Sequence, residues 1–166
     1  MEAYPLESLL SVRHHREEGA KRNVRLAEIT LREAEQAILD RQRELEEFKL
    51  WRREEEDRRY DAIMGKSLSM RELDRFKAGL AELADRERRK AEDVDRARKQ
   101  AEAAAKDLDK ARTLAKQAQK NTAKITAHKD IWQEEAKKEA EHKEDLELEE
   151  FRPLSRKGAE AEGEDA

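Results

Sequence analysis

Gly65-Lys66-Ser67-Leu68-Ser69-Met70-Arg71-Glu72-Leu73 is the stretch on which the fold turns. Gly65 suits the left-handed conformation that ends a helix. Ser69 and Glu72 have the spacing of a capping box, in which the serine hydroxyl accepts from the Glu72 amide and the glutamate carboxylate accepts from the Ser69 amide. Leu68 and Leu73 occupy the two positions of a hydrophobic staple. One helix therefore stops and another starts within a few residues. A short turn between long helices makes them antiparallel neighbours.

Outward from the turn, both flanks carry apolar residues in alternating steps of three and four, the seam of a left-handed coiled coil. Downstream the seam runs Leu73, Phe76, Leu80, Leu83, Glu87, Lys90, Val94, Ala97, Ala101, Ala104, Leu108, Ala111, Ala115, Ala118, Thr122 and Ile125. Upstream it starts with Leu6 and Leu10 and is interrupted by Arg13 and Glu17. It resumes as Ala20, Val24, Ala27, Leu31, Ala34, Ile38, Arg41, Leu45 and Phe48, then turns polar at Arg52, Glu55 and Arg59. A hairpin centred near Ser67 pairs residues whose numbers sum to about 134 (an estimate from the short antiparallel turn). That register sets large side chains of the first helix against alanines of the second.

The fold class expected is all-α: a long two-helix antiparallel coiled-coil hairpin with a C-terminal helical overhang and a disordered tail. Helix 1 covers about 5–64, the turn 65–69 and helix 2 about 70–150, so that 1–150 is one domain and 151–166 the tail. Composition agrees. Charged residues make up 47% and aromatics 4%, too few large apolar groups for a globular core of 166 residues. Basic and acidic residues number 37 and 41, so self-repulsion is weak and disorder of the whole chain is disfavoured. The overhang 131–150 has nine acidic and three basic residues, whereas 1–130 has 31 basic and 28 acidic. Pro153, Gly158 and Gly163 mark the tail. Cysteine is absent, no apolar run reaches the length of a membrane span, and the N-terminus does not read as a signal peptide.

No residue set carries chemistry. Gly65-Lys66-Ser67 resembles the end of a phosphate loop, but Tyr60 stands where the first glycine belongs and no strand precedes it. His14, His15, His128 and His142 form no metal-ligand spacing. Carboxylates are so frequent that close pairs arise by chance, and a two-stranded rod has no pocket to shift their pKa. The basic clusters Arg52-Arg53, Arg58-Arg59 and Arg86–Lys90 are interleaved with acids, which reads as an ion-paired face and not as a nucleic-acid stripe. No catalytic residue, cofactor or metal is assigned. Trp132 stands in a charged stretch, either as an anchor for a partner or folded against Tyr4 and Leu6. Trp51 and Tyr60 flank the polar seam near the turn, either as packing or as a second contact patch.

Three features together carry a resemblance: the start Tyr4-Pro5-Leu6-Glu7-Ser8-Leu9-Leu10, the long hairpin, and His128-Lys129-Asp130-Ile131-Trp132-Gln133-Glu134-Glu135-Ala136 followed by a Lys- and Glu-rich helix. They are similar to the YscO family of type III secretion, with chlamydial-type members nearest and flagellar FliJ proteins more distant. The resemblance implies a non-enzymatic, cytoplasmic stalk, peripheral to the inner membrane. It implies a hexameric secretion ATPase and an export-gate protein as partners, with secretion chaperones as a third class. By analogy the end with Tyr4, Leu6, Leu10 and Trp132 faces the ATPase, and the end with Trp51, Tyr60 and Leu68 faces the gate. The chain alone is expected to be monomeric, with no nucleic-acid partner and no membrane insertion. The competing reading from the residues is a generic coiled-coil scaffold or adaptor that dimerises or binds a protein outside secretion.

Overall fold

A computed structural model describes the backbone of residues 2–162 and the side chains of residues 2–152. Two helices make the fold, α1 (Glu7–Ile63) and α2 (Met70–Glu162), with no strand among the described residues. The Tyr4 and Leu6 carbonyls accept from the Glu7 and Leu10 amides as α1 begins. At its end Gly65 adopts φ +74°, the left-handed stop. The capping box forms as read: the Glu72 amide donates to Ser69 Oγ and the Ser69 amide to Glu72 Oε2, both at 3.2 Å. The helix end expected near Glu150 falls inside α2, whose backbone continues past Pro153 and Gly158 to Glu162. Of the tail expected at 151–166, residues 163–166 lie outside the described residues.

The chain divides into two units, Ala20–Leu114 and the pair Met1–Gly19 with Ala115–Ala166. Within Ala20–Leu114 the helices run antiparallel, since Glu28 meets Arg112 at 3.8 Å while Arg52 meets Glu87 at 3.0 Å. These pairs sit a few residues beyond the expected register. The core is the seam: Phe48, Leu83, Val94, Ala97, Ala101, Ala104 and Leu108 are buried, and Val24, Ala27, Leu31, Ala34, Ile38 and Leu45 are half-buried. Burial of Leu83, which is 2% exposed, contributes about 1.5–3 kcal/mol. An alanine layer contributes much less, because little apolar area leaves water. Arg41, placed on the seam by periodicity, is exposed and bonds Glu44 at 2.7 Å. Its long stem carries the charge to solvent.

The other unit is also antiparallel, pairing Arg13 with Thr122 and Glu7 with Lys129. Among the described residues its buried side chains are Tyr4, Leu10, Glu17 and Thr122. The Thr122 hydroxyl is shared between the Ala118 carbonyl of its own helix (3.0 Å) and the Arg13 carbonyl of α1 (3.3 Å). Beside it, Arg13 Nε is buried with no hydrogen-bond acceptor, at a penalty of about 1–3 kcal/mol. The α2 seam continues past Ile125 as the half-buried Lys129, Trp132 and Ala136. From Lys137 to Arg152 every side chain is exposed, as expected for an overhang.

Candidate functional site

Two aromatic clusters stand out, one in each unit. In the first, the three residues before α1 bring Tyr4 back onto α2. Its ring meets Trp132 edge-on, with centroids 5.5 Å apart and planes at 63°. Its hydroxyl is hydrogen-bonded to His128 Nδ1, accepting or donating according to the imidazole tautomer. Lys129 lies 6.0 Å from the Tyr4 ring centroid and pairs with Glu7 at 2.8 Å. One turn of α2 thus supplies His128, Lys129 and Trp132 to the same phenol. An open groove of about 760 Å³ lies beside them, with Tyr4, Glu7, Lys129, Trp132, Ala136 and Lys137 among its walls.

The second cluster lies on the polar seam. Phe48 is buried, and Trp51 packs on it at 5.4 Å between centroids. The Arg86 guanidinium caps both rings, 5.1 Å from Phe48 and 5.3 Å from Trp51, and Lys90 lies 5.6 Å from Phe48. Arg52 bonds Glu56 at 2.8 Å and Glu87 at 3.0 Å, and these acceptors, Glu56 foremost, favour its charged form still further. Arg58 and Arg59 both donate to Glu55 and hold its carboxyl below the usual range. Nearer the turn, Tyr60 packs edge-on against Phe76 at 5.1 Å.

The candidate residues therefore separate by exposure. Tyr4 and Leu10 are buried, and Trp132 is half-buried. Leu6, Trp51, Tyr60 and Leu68 are exposed. Tyr4 and Trp132 come together, which is the packing alternative read for Trp132, although the groove leaves part of the indole open. Trp51 and Tyr60 contact different partners, Phe48 and Phe76. Sequence reasoning missed the roles of His128, Lys129 and Arg86. The register sum near 134 (the antiparallel estimate above) held the signal, since it sets residue 86 opposite 48 and 128 beside 4–6. In the sequence Arg86 lies within a run of charges that reads as a solvated face.

Among the described residues there is no group of histidine and carboxylate side chains able to hold a metal, and no helix long and apolar enough to cross a membrane.

Comparison with known proteins places this architecture. No curated protein matches the sequence. Two solved structures share the fold. A YscO homologue of Chlamydia trachomatis, CT670, superposes with a TM-score of 0.75 at 24% identity, covering 97% of this chain and 99% of that one. The type III secretion protein YscO of Vibrio parahaemolyticus gives 0.83 at 25% identity, covering 88% and 92%. The family model for type III secretion protein YscO matches residues 6–153, nearly the whole paired and overhanging part of the chain. The chain belongs to the YscO family of type III secretion proteins.

Proposed function

We propose that the chain is a non-enzymatic stalk of the type III secretion apparatus, acting in the cytoplasm at the inner membrane and coupling the hexameric secretion ATPase to the export gate. The observation that carries this reading is the family match over residues 6–153 on a two-helix hairpin. Leu6 and Trp132, together with the buried Tyr4 and Leu10, form the ATPase-facing contact. Trp51, Tyr60 and Leu68 form the gate-facing one. Secretion chaperones are a third class of partner. The chain performs no bond chemistry. A stiff helical pair shifts the conformations of surrounding subunits through contacts that differ between their states.

ATP hydrolysis by the cognate ATPase, with and without the chain, tests this. Stimulation and co-migration with the hexamer at less than one chain per ATPase subunit are expected. Trp132→Ala is expected to weaken stimulation while leaving helicity nearly unchanged. No stimulation and no binding would remove the ATPase from the list of partners.

A further inference from the structure

The seam of the unit containing Tyr4 is built unlike the apolar stretch Val24–Ile38 within Ala20–Leu114. Between Leu10 and the boundary at Gly19, α1 presents Arg13 and Glu17 to the seam. Opposite them α2 presents Ala115, Ala118 and Thr122. No apolar side chain larger than alanine fills these layers. In their place are a buried glutamate, a threonine hydroxyl bonded across to the Arg13 carbonyl, and a buried Arg13 Nε lacking an acceptor. Beyond this polar stretch, contact is renewed by Leu10 and by Tyr4 on Trp132 and His128.

We propose that residues 2–19 are a clasp on α2: they detach from 115–136 while Ala20–Leu114 stays paired, and the detached form bares the Trp132 ring. Local opening takes least free energy where few apolar contacts break. Detachment here breaks the Tyr4 and Leu10 contacts, the Glu7–Lys129 ion pair, the Tyr4–His128 hydrogen bond and the Thr122 bond to the Arg13 carbonyl, with no apolar side chain larger than alanine on the seam between Leu10 and Gly19. It also returns water to the Arg13 Nε–H, which the closed form leaves unbonded. The Tyr4 ring and the Glu7–Lys129 ion pair act as the latch, because they lie farthest from the paired Ala20–Leu114 seam along α1. The clasp therefore governs how much of Trp132 is offered to a partner. The mechanism holds whether or not that partner is the secretion ATPase.

Amide hydrogen exchange on the full chain, with acrylamide quenching of Trp132 fluorescence in a Trp51→Phe background, tests the clasp. In the wild type, amides from Val12 to Glu17 are expected to exchange at one common rate, about tenfold or more faster than those from Leu31 to Leu45. Tyr4→Ala should speed exchange in 12–17 and raise Trp132 quenching without changing 31–45. An apolar layer made by Arg13→Leu, Glu17→Leu and Thr122→Val together should slow exchange in 12–17 roughly tenfold, because packed apolar groups in place of a buried polar set are often stabilising. Equal protection of both segments would overturn the clasp, as would a smooth gradient from Glu7 with Trp132 quenching unmoved by Tyr4→Ala. Unchanged exchange in the apolar-layer variant would overturn the role given to the polar layer.

Discussion

The guanidinium of Arg86 lies 5.1 Å from the centroid of the Phe48 ring. The two residues come from different helices, so the contact ties α2 to α1 where the seam otherwise turns charged. Arg86→Ala should destabilise the chain by about 1 kcal/mol, the scale of a half-exposed cation–π contact. Arg86→Lys should restore only part of it, because an ammonium lacks the planar face that stacks on two rings. Urea unfolding followed by circular dichroism measures the difference. An unchanged midpoint for Arg86→Ala would show that the stacking is energetically idle.

Leu83 and Leu26 share a side chain but not an environment, with exposures of 2% and 61%. Leu83→Ala should cost about 2–5 kcal/mol through lost transfer energy and the cavity left behind. Leu26→Ala should stay within about 0.5 kcal/mol of wild type, since it empties no packed space. The two urea midpoints give a direct contrast.

Gly65 and Gly79 should respond to alanine in opposite directions. At φ +74° an alanine at 65 is strained, with a loss of about 1 kcal/mol or more. Gly79 lies inside α2, where its added Cβ would sit 2.9 Å from Arg59 Nη1. That atom ends a flexible side chain and can move aside. Gly79→Ala should therefore keep most of the helix gain of about 0.5–1 kcal/mol. Thermal unfolding of both variants decides it, with a fall expected at 65 and a rise at 79.

Glu55 provides a pH prediction. Hydrogen bonds from Arg58, and next from Arg59, lower its pKa in the fold. A depressed carboxylate binds fewer protons folded than unfolded, so its contribution is complete above the ordinary glutamate value of about 4.3 and fades as pH falls through the folded value. An NMR titration of the Glu55 carboxyl should give a midpoint below that of an unpaired glutamate. Arg58→Gln should move it back up.

Much of this was legible in the residues. Every seam position read from Leu73 to Ile125 is at least half-buried, because a strict alternation of three and four fixes which face of a helix meets its neighbour. Ser69, Glu72 and Gly65 behave as read, because caps are local and need no tertiary knowledge. Arg41 and Leu6 escape burial for reasons that periodicity does not encode: a long stem that carries its charge outward, and a position ahead of the first helical residue. The contact of Trp132 with Tyr4 is one of the two alternatives the residues offer, whereas the hydrogen bond of His128 and the approach of Lys129 to the same phenol depend on side-chain geometry that no repeat describes. Arg86 lay in a run of charges whose average hid one cation with an aromatic opposite. The two meanings of Trp132, packing and exposure, were both present in the sequence, and the fold supplies both at once.

The alanines at 97, 101 and 104 make this part of α2 replaceable by itself. Each heptad there offers small side chains to a larger one on α1, and no layer bears much of the stability alone. Seven residues removed from α2 within this run, matched by seven from the α1 stretch around Leu31 and Ile38, would leave the remaining layers in phase and the turn untouched. Length is therefore a property that such a chain can gain or lose in paired heptads, by small insertions and deletions, while the residues at its contact surfaces keep their identities.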